Sequence, residues 1–351
     1  MSTTAANIIS ETRLHTLEST LDQLHVERWS GHEVLSNLYR WDVLALSGNH
    51  TLPLDAFLGQ KFTLLTTLAD GSRCRRSGLV NMARRIGSDG TLTRYHVQLV
   101  PWLWILTQSF RSRVFQDSTV QGIINQVLTG YPDYASWHFT QDAVQLLSAV
   151  RPRSYCVQYR ESDFTFVQRL LAEEGLGYCF VEDERSPSGQ RLIIFGDSPT
   201  LPEDPTSSSA TGLRFHRADA TEVQDTIQGM GRVHQLGSHR VTLLSCDYKS
   251  RQAISASRPI GQEREGLESY DPVGDYAFAT LSEAEHYTRL HIEAMQTEHA
   301  FWQGRGTVRS ARAGTRFHLG ETPWPDADPM RDMQDFLFTE AVSYTHLRAH
   351  E

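Results

Sequence analysis

Residues 154–180, SYCVQYRESDFTFVQRLLAEEGLGYCF, change hydrophobic period twice. Tyr155-Cys156-Val157-Gln158-Tyr159 reads as a strand. Beyond it, Phe166, Val167, Leu170 and Leu171 fall at the three-and-four spacing of one helical face. Ser162 is placed to accept a hydrogen bond from the first-turn amides, Asp163 favours the positive end of the helix dipole, and Gly175 closes the helix. Tyr178-Cys179-Phe180-Val181 then returns to a strand. It should form a hairpin with Arg191-Leu192-Ile193-Ile194-Phe195 across the polar Glu182–Gln190 turn. The reading is an α/β module.

Toward the N-terminus the module extends through a helix with Val120, Ile123, Ile124, Val127 and Leu128 on one face, capped by Asp117 or Ser118 and stopped by Gly130. Before it the period is two. Leu38–Leu46, Phe62–Leu68, a segment at 73–86 and Thr93–Leu106 read as strands, with hairpin turns at Asp70-Gly71 and Gly87–Gly90. In Thr93–Leu106, Tyr95, Val97, Leu99, Leu103 and Ile105 share one face and Trp102 and Trp104 the other. Toward the C-terminus, Pro199–Gly212 reads as a linker, followed by strands at Val241–Leu244 and Phe336–Thr339. Between those strands lies a long helix at 281–303, with Ala284, Tyr287, Leu290, Ala294 and Met295 on one face and Gly304 as its cap. The domain boundaries that follow are an N-terminal arm (1–17), a first β-barrel (18–110), the α/β module (111–198), a second β-barrel (199–342) and a tail (343–351).

Composition narrows the function classes. The 351 residues carry 33 basic and 42 acidic side chains, a formal net charge of -9, so there is no basic footprint for nucleic acid. Only Lys61 and Lys249 among the basic residues are lysine, a bias given no functional weight. Cys74, Cys156, Cys179 and Cys246 stand apart with no CxxC pair, which argues against a zinc ribbon or a disulfide scaffold. The N-terminus lacks the charged and apolar regions of a Sec signal. The most hydrophobic stretch, Leu99–Leu106, is too short to insert in a membrane.

Enzyme motifs are scarce. GxxxxGK[ST], GxSxG and HExxH are missing, and Gly229-Met230-Gly231 lacks the third glycine of a dinucleotide fingerprint, so it reads as a turn. His286, His291 and His299, with Glu293 and Glu298 between them, are spaced wrongly for two ligands on one helical face. Glu173-Glu174, Glu182-Asp183-Glu184 and Glu203-Asp204 invite a glycosidase reading, but adjacent acids at a helix end or in a loop read better as solvated faces. Cys156 and Cys179 lie in apolar strands and read as buried small hydrophobes rather than nucleophiles. No catalytic, cofactor-binding or metal residue is assigned.

Residues 154–180, with RSRVFQDSTVQGIINQVL (111–128), HEVLSNLYRWDVLALS (32–47) and FWQGRGTVRSARAGTRFHLG (301–320), resemble the hub region of the type VI secretion spike family. This valine-glycine repeat protein G (VgrG) family is similar to the baseplate hub of contractile phage tails, and the motifs arrive in its order across about residues 20–342. The resemblance implies a β-rich α+β fold of two related antiparallel β-barrel domains with an α/β insertion, phage tail hub-like. It also implies a non-enzymatic homotrimer that caps the hexameric Hcp tube and touches baseplate proteins. Sheath contraction would eject it to deliver effectors, with effectors and a PAAR tip protein attached through a further C-terminal part. Such a protein assembles in the bacterial cytoplasm and is secreted without a signal peptide. The alternatives are a prophage contractile-tail hub and, from another class, a cell-wall hydrolase. The last residues, SYTHLRAHE from Ser343, resemble translated sequencing-adaptor sequence, and the expectation is that they contribute nothing to the fold.

Overall fold

The computed structural model describes residues 13–21, 24–206, 212–216, 224–247, 251–261, 266–275, 277–320 and 333–345. In chain order the first strands are β1 (His15–Glu18), β2 (His25–Val34), β3 (Arg40–Ser47), β4 (Lys61–Thr67), β5 (Arg73–Ser88) and β6 (Thr93–Val100). Then come β7 (Phe110–Ser118), α1 (Val120–Leu128), β8 (Trp137–Phe139), α2 (Gln141–Ser148), β9 (Arg153–Ser162), α3 (Asp163–Glu173), β10 (Gly177–Glu182) and β11 (Gln190–Phe195). The remainder comprises β12 (Arg214–Phe215), β13 (Thr226–His234), β14 (Arg240–Asp247), β15 (Gln252–Pro259), β16 (Glu268–Asp275), α4 (Leu281–His299) and β17 (Ala300–Gly306), closing with β18 (Arg316–His318), β19 (Asp335–Leu337) and β20 (Glu340–Tyr344). The chain divides into two compact units. Ala172–Gly175 with Ile227–Gly306 make one, and the rest of the chain makes the other.

The larger unit is built on a seven-stranded antiparallel sheet in the order β1-β4-β5-β6-β3-β2-β20. Alternation places Trp41, Val43 and Ala45 of β3, and Tyr95, Val97 and Leu99 of β6, in the core with no exposed surface. The sheet curls so that β1 and β2 meet through His15 and Trp29, whose rings lie 5.7 Å apart. In the α/β module β11 pairs antiparallel with β10 and parallel with β8, and β7 and β9 form a separate ribbon. Phe166, Leu170 and Leu171 of α3 are wholly buried in the same core. Each fully buried apolar side chain of this kind contributes about 1.5–3 kcal/mol.

The smaller unit has a thinner core. β14 pairs antiparallel with β15 and parallel with β16, β13 pairs with β17, and α4 buries Ala284, Thr288 and Ile292 with Val241, Leu243 and Phe278 nearby.

Several sequence expectations change. The strand expected to reach Leu106 ends at Val100, because Pro101 fixes its φ and has no N–H to donate. Trp102–Gln108 then coils as a 3-10 turn that buries Trp102, Leu103 and Leu106. The α1 cap is Thr119, whose hydroxyl accepts from the Gly122 amide at 3.1 Å, and not Asp117 or Ser118, which belong to β7. The long helix stops at His299 instead of 303. Phe301 and Trp302 prefer the strand β17, where Gly304 faces Met230 and caps nothing. Gly229-Met230-Gly231 accordingly lies within strand β13 instead of a turn. Ala294 is exposed, and Thr288 and Ile292 take the buried stripe.

The ends also differ. Residues 13–17 of the expected arm are described, and His15–Leu17 pair with β4, while 1–12 lie outside the described residues. In the tail, Ser343 and Tyr344 pair with Gly31 and Ser30 of β2, and the Thr345 amide donates to the Trp29 carbonyl at 3.0 Å. An open strand edge binds through its main chain, so an extended segment can pair there whatever its side chains. Residues 346–351 and the linker positions 207–211 lie outside the described residues. The expected second barrel, 199–342, is divided between the two units at Thr226 and Thr307.

Candidate functional site

A buried cluster of ionisable groups lies within the larger unit. Alternation along β2 turns Glu33 inward, and β5 turns Arg76 inward to meet it. The two side chains are 7% and 0% exposed, with Nε and Oε1 3.5 Å apart. Arg312, on the segment after β17, adds its Nε at 3.6 Å from Glu33 and its Nη1 at 3.0 Å from Glu182 of β10. Each guanidinium lies over an indole, Arg76 over Trp29 at 5.4 Å and Arg312 over Trp41 at 5.8 Å.

Backbone groups complete the cluster. Arg76 Nη2 donates to the carbonyls of Arg309 and Ala311 at 2.9 and 3.0 Å, and Arg312 Nη1 donates to that of Arg75 at 3.3 Å. Glu182 accepts from the Ser77 amide at 3.0 Å. The Tyr39 hydroxyl donates to the Ser77 carbonyl at 2.7 Å, and Gln190 Nε2 donates to both the Tyr39 hydroxyl and the Ser77 carbonyl. Gly314 follows at φ 88, and a Cβ there would come within 2.4 Å of Cys179 Cβ, so the backbone passes where no side chain fits.

Electrostatics make the cluster a fastening and not a reagent. Burial works against the Arg312 charge, but Glu182 and then Glu33 outweigh it and hold its pKa above the ordinary arginine value. Burial pushes the Tyr39 hydroxyl far up, the Gln190 hydrogen bond only partly opposing it. The Cys179 thiol is pushed up to about 12 by burial despite Arg312, so it stays protonated and is no nucleophile at neutral pH. Two carboxylates face two guanidiniums in a packed interior. Removing one partner strands the others.

A second cluster surrounds Asp163, which is 1% exposed. Arg113, Tyr131 and Gln158 all donate to its carboxylate, at 2.6, 2.7 and 2.8 Å. Asp163 therefore ties β7, β9 and the loop after α1 to the start of α3, beyond the dipole role expected of it. Ser162 caps as expected, its hydroxyl accepting from the Thr165 amide at 3.0 Å. The outer face of the β7–β9 ribbon is different in kind. Val114, Tyr155 and Tyr159 are 52%, 62% and 64% exposed, and Phe110 at its end is 71% exposed.

The sequence candidates do not converge. Glu174 is buried within the smaller unit, its carboxylate 3.4 Å from the Tyr287 hydroxyl, so the pair Glu173-Glu174 is not a solvated face. Glu182 belongs to the buried cluster, Asp183 pairs with Arg191 at 2.5 Å, and Glu184 with Arg75 at 3.3 Å. Glu203 pairs with Arg316, and Asp204 is buried and accepts from the Ser310 hydroxyl at 2.9 Å. His286 packs on Tyr287, and His299 stands 6.2 Å from His239 ring to ring. His291, Glu293 and Glu298 are exposed on α4. Among the described residues no group of three or more His, Cys, Asp or Glu could hold a metal ion. Cys156 and Cys179 are buried as expected, and none of the four cysteines is in a disulfide. The buried arginines were not singled out by the sequence reading, since an Arg in an alternating strand carries no local mark of burial.

A curled antiparallel sheet carrying an α/β module, with distant chain segments fastened by buried ions, is the setting for comparison with known proteins. The family model for the phage tail baseplate hub (GPD) matches residues 32–346. The chain belongs to that family. The type VI secretion system spike protein VgrG1c of Pseudomonas aeruginosa is 31% identical over 89% of this chain and 42% of its own length. The chain thus spans under half the length of the curated relatives it matches. A solved Escherichia coli protein, c3393, described as a type VI secretion component similar in structure to phage T4 tail proteins gp27 and gp5, superposes with a TM-score of 0.64. That match is at 19% identity and covers 96% of this chain and 74% of that one. The 43 kDa tail protein of prophage MuSo2 from Shewanella oneidensis gives a TM-score of 0.59 at 12% identity, covering 94% of each chain. The fold is accordingly that of the phage tail hub, β-rich with curled antiparallel sheets and few helices. No helix among the described residues is long and apolar enough to cross a membrane.

Proposed function

We propose that this chain is the hub portion of a type VI secretion spike, non-enzymatic over the described residues. The supporting observation is the 31% identity to a type VI spike protein over 89% of the chain. In this reading three copies cap the Hcp tube against the baseplate, and sheath contraction drives the tube and tip outward. Effectors and a PAAR tip protein attach through a further C-terminal part. The protein assembles in the cytoplasm and leaves the cell with the spike. The trimer belongs to the longer protein, and this chain alone is monomeric or weakly associated. Light scattering that finds a stable trimer of residues 1–351 at micromolar concentration contradicts that last point.

Deletion of the gene from its bacterium tests the reading. Hcp should disappear from the culture medium and return on complementation, whereas unchanged Hcp release overturns the proposal. The second reading, a prophage tail hub, draws on the prophage tail protein that matches over 94% of the chain. Under it, deletion abolishes contractile tail particles and leaves Hcp release intact.

A further inference from the structure

We propose that β1 is an acid-released strap, with His15 as its latch: protonation of that one ring detaches β1 and uncovers the edge of β4. The inference is independent of the spike reading and would hold for any hub carrying this strand.

The geometry supplies the latch. The indole of Trp29 can only donate, and its Nε1 lies 3.2 Å from His15 Nδ1, so Nδ1 is the acceptor and the neutral ring carries its proton on Nε2. The Thr66 hydroxyl of β4 lies 3.1 Å from the same nitrogen. A proton on Nδ1 sets two donors against each other and breaks the bond to Trp29. The charged surroundings act in the same direction. Arg76 of β5 lies over the Trp29 ring, and Arg309 approaches from the segment after β17. Burial first, then Arg76, then Arg309, lower the His15 pKa from 6.5 to about 4. Both arginines have carboxylate partners, Glu33 for Arg76 and Asp225 for Arg309, and Glu18 of β1 itself is taken by Arg75. His25, at the start of β2, is also lowered, by burial and then Arg13.

Because the folded pKa is depressed, the contribution of neutral His15 is complete above about pH 6.5 and is lost as pH falls toward about 4. Besides the latch, the strand is held by Leu17 packed on the core, by the Glu18–Arg75 pair at 2.9 Å and by a short ladder. β1 has four residues, His15–Glu18, paired with Thr66–Thr63, and the Thr67 amide donates to the Leu14 carbonyl at 2.9 Å. Once β1 leaves, β4 becomes an unpaired sheet edge open to strand addition.

Amide hydrogen exchange on the whole chain at pH 7.5 and pH 5.0, corrected for the intrinsic rate, reads the opening directly at Thr67. The opening equilibrium at Thr67 should rise about thirtyfold at the lower pH, as linkage requires for a ring that titrates at 6.5 in the open strand and at about 4 in the closed one, while amides shared by β3 and β6 keep their protection. His15→Gln, which retains an acceptor but does not titrate, should show less than about a twofold change under the same linkage. Proton NMR of the unaltered chain should find His15 titrating well below the ordinary histidine range. Equal Thr67 protection at both pH values overturns the proposal, as does a pH response that survives in His15→Gln. A His15 that titrates at its ordinary value overturns it too, and that measurement decides the matter if the variant does not fold.

Discussion

The two units hold themselves together differently. The larger one buries whole charges, with Arg76 and Arg312 at 0% and 10% side-chain exposure between Glu33 and Glu182. The smaller one also buries single carboxylates, Glu174 and Asp247, but its pairs Arg258–Glu285 and Arg289–Glu293 lie at the surface, each side chain about half exposed. Their helices show the same contrast. α3 spans 11 residues and buries Phe166, Val167, Leu170 and Leu171, whereas α4 spans 19 and buries only Ala284, Thr288 and Ile292. α4 compensates locally. Thr280 accepts from the Glu283 amide at 3.2 Å, and Glu283 reaches back to the Ala279 amide at 2.7 Å. Helix length and helix burial are therefore separate quantities, and the shorter helix is the better anchored.

Five substitutions measure the contrast. Arg312→Met should be the most damaging, since it leaves Glu33 and Glu182 buried without their counter-charge, a loss of about 3–5 kcal/mol. Chemical denaturation showing under 1 kcal/mol would mean that water reaches the cluster. Leu170→Ala should lose about 2–5 kcal/mol through burial plus cavity, and it should exceed Ser162→Ala, at about 0.5–2 kcal/mol. A thermal melt that reverses this order would show packing to be weaker than capping in α3. In α4, Ile292→Val should lose about 0.5–1.5 kcal/mol. If it matches Leu170→Ala, the two cores are equivalent after all. The smallest effect belongs to Arg289→Gln, within about 0.5 kcal/mol, because its i,i+4 pair is exposed to solvent.

What could be read in the sequence was what is local. The α3 stripe, the Ser162 cap, the Asp70-Gly71 turn and the β10–β11 hairpin each lie within about one element of the residues that specify them, and the structure has all of them. The end of β6 depended on Pro101, whose effect on backbone geometry outranked a continuing apolar pattern. The cluster was illegible for another reason. Arg76 meets Ala311 across 235 positions and Arg312 meets Glu182 across 130, and neither alternation nor composition specifies such a meeting. Glu182 looked like part of a polar turn because its partner is supplied from so far along the chain. The exposed β7–β9 aromatics were also hidden, since period two does not say which face is covered.

That same clasp sets an order on synthesis. The carbonyls that satisfy Arg76 belong to residues 309 and 311, more than 230 positions downstream, and Thr345 reaches Trp29 across 316. At about 5–20 residues per second, a ribosome needs roughly 10–50 s after making Arg76 to supply those carbonyls. During that interval the nascent first sheet holds Arg76 and Glu33 without their far partners, and β2 has one edge unpaired. The growing chain is thus exposed to premature strand pairing until residues 309–345 have been made, and only then does the first sheet close its core.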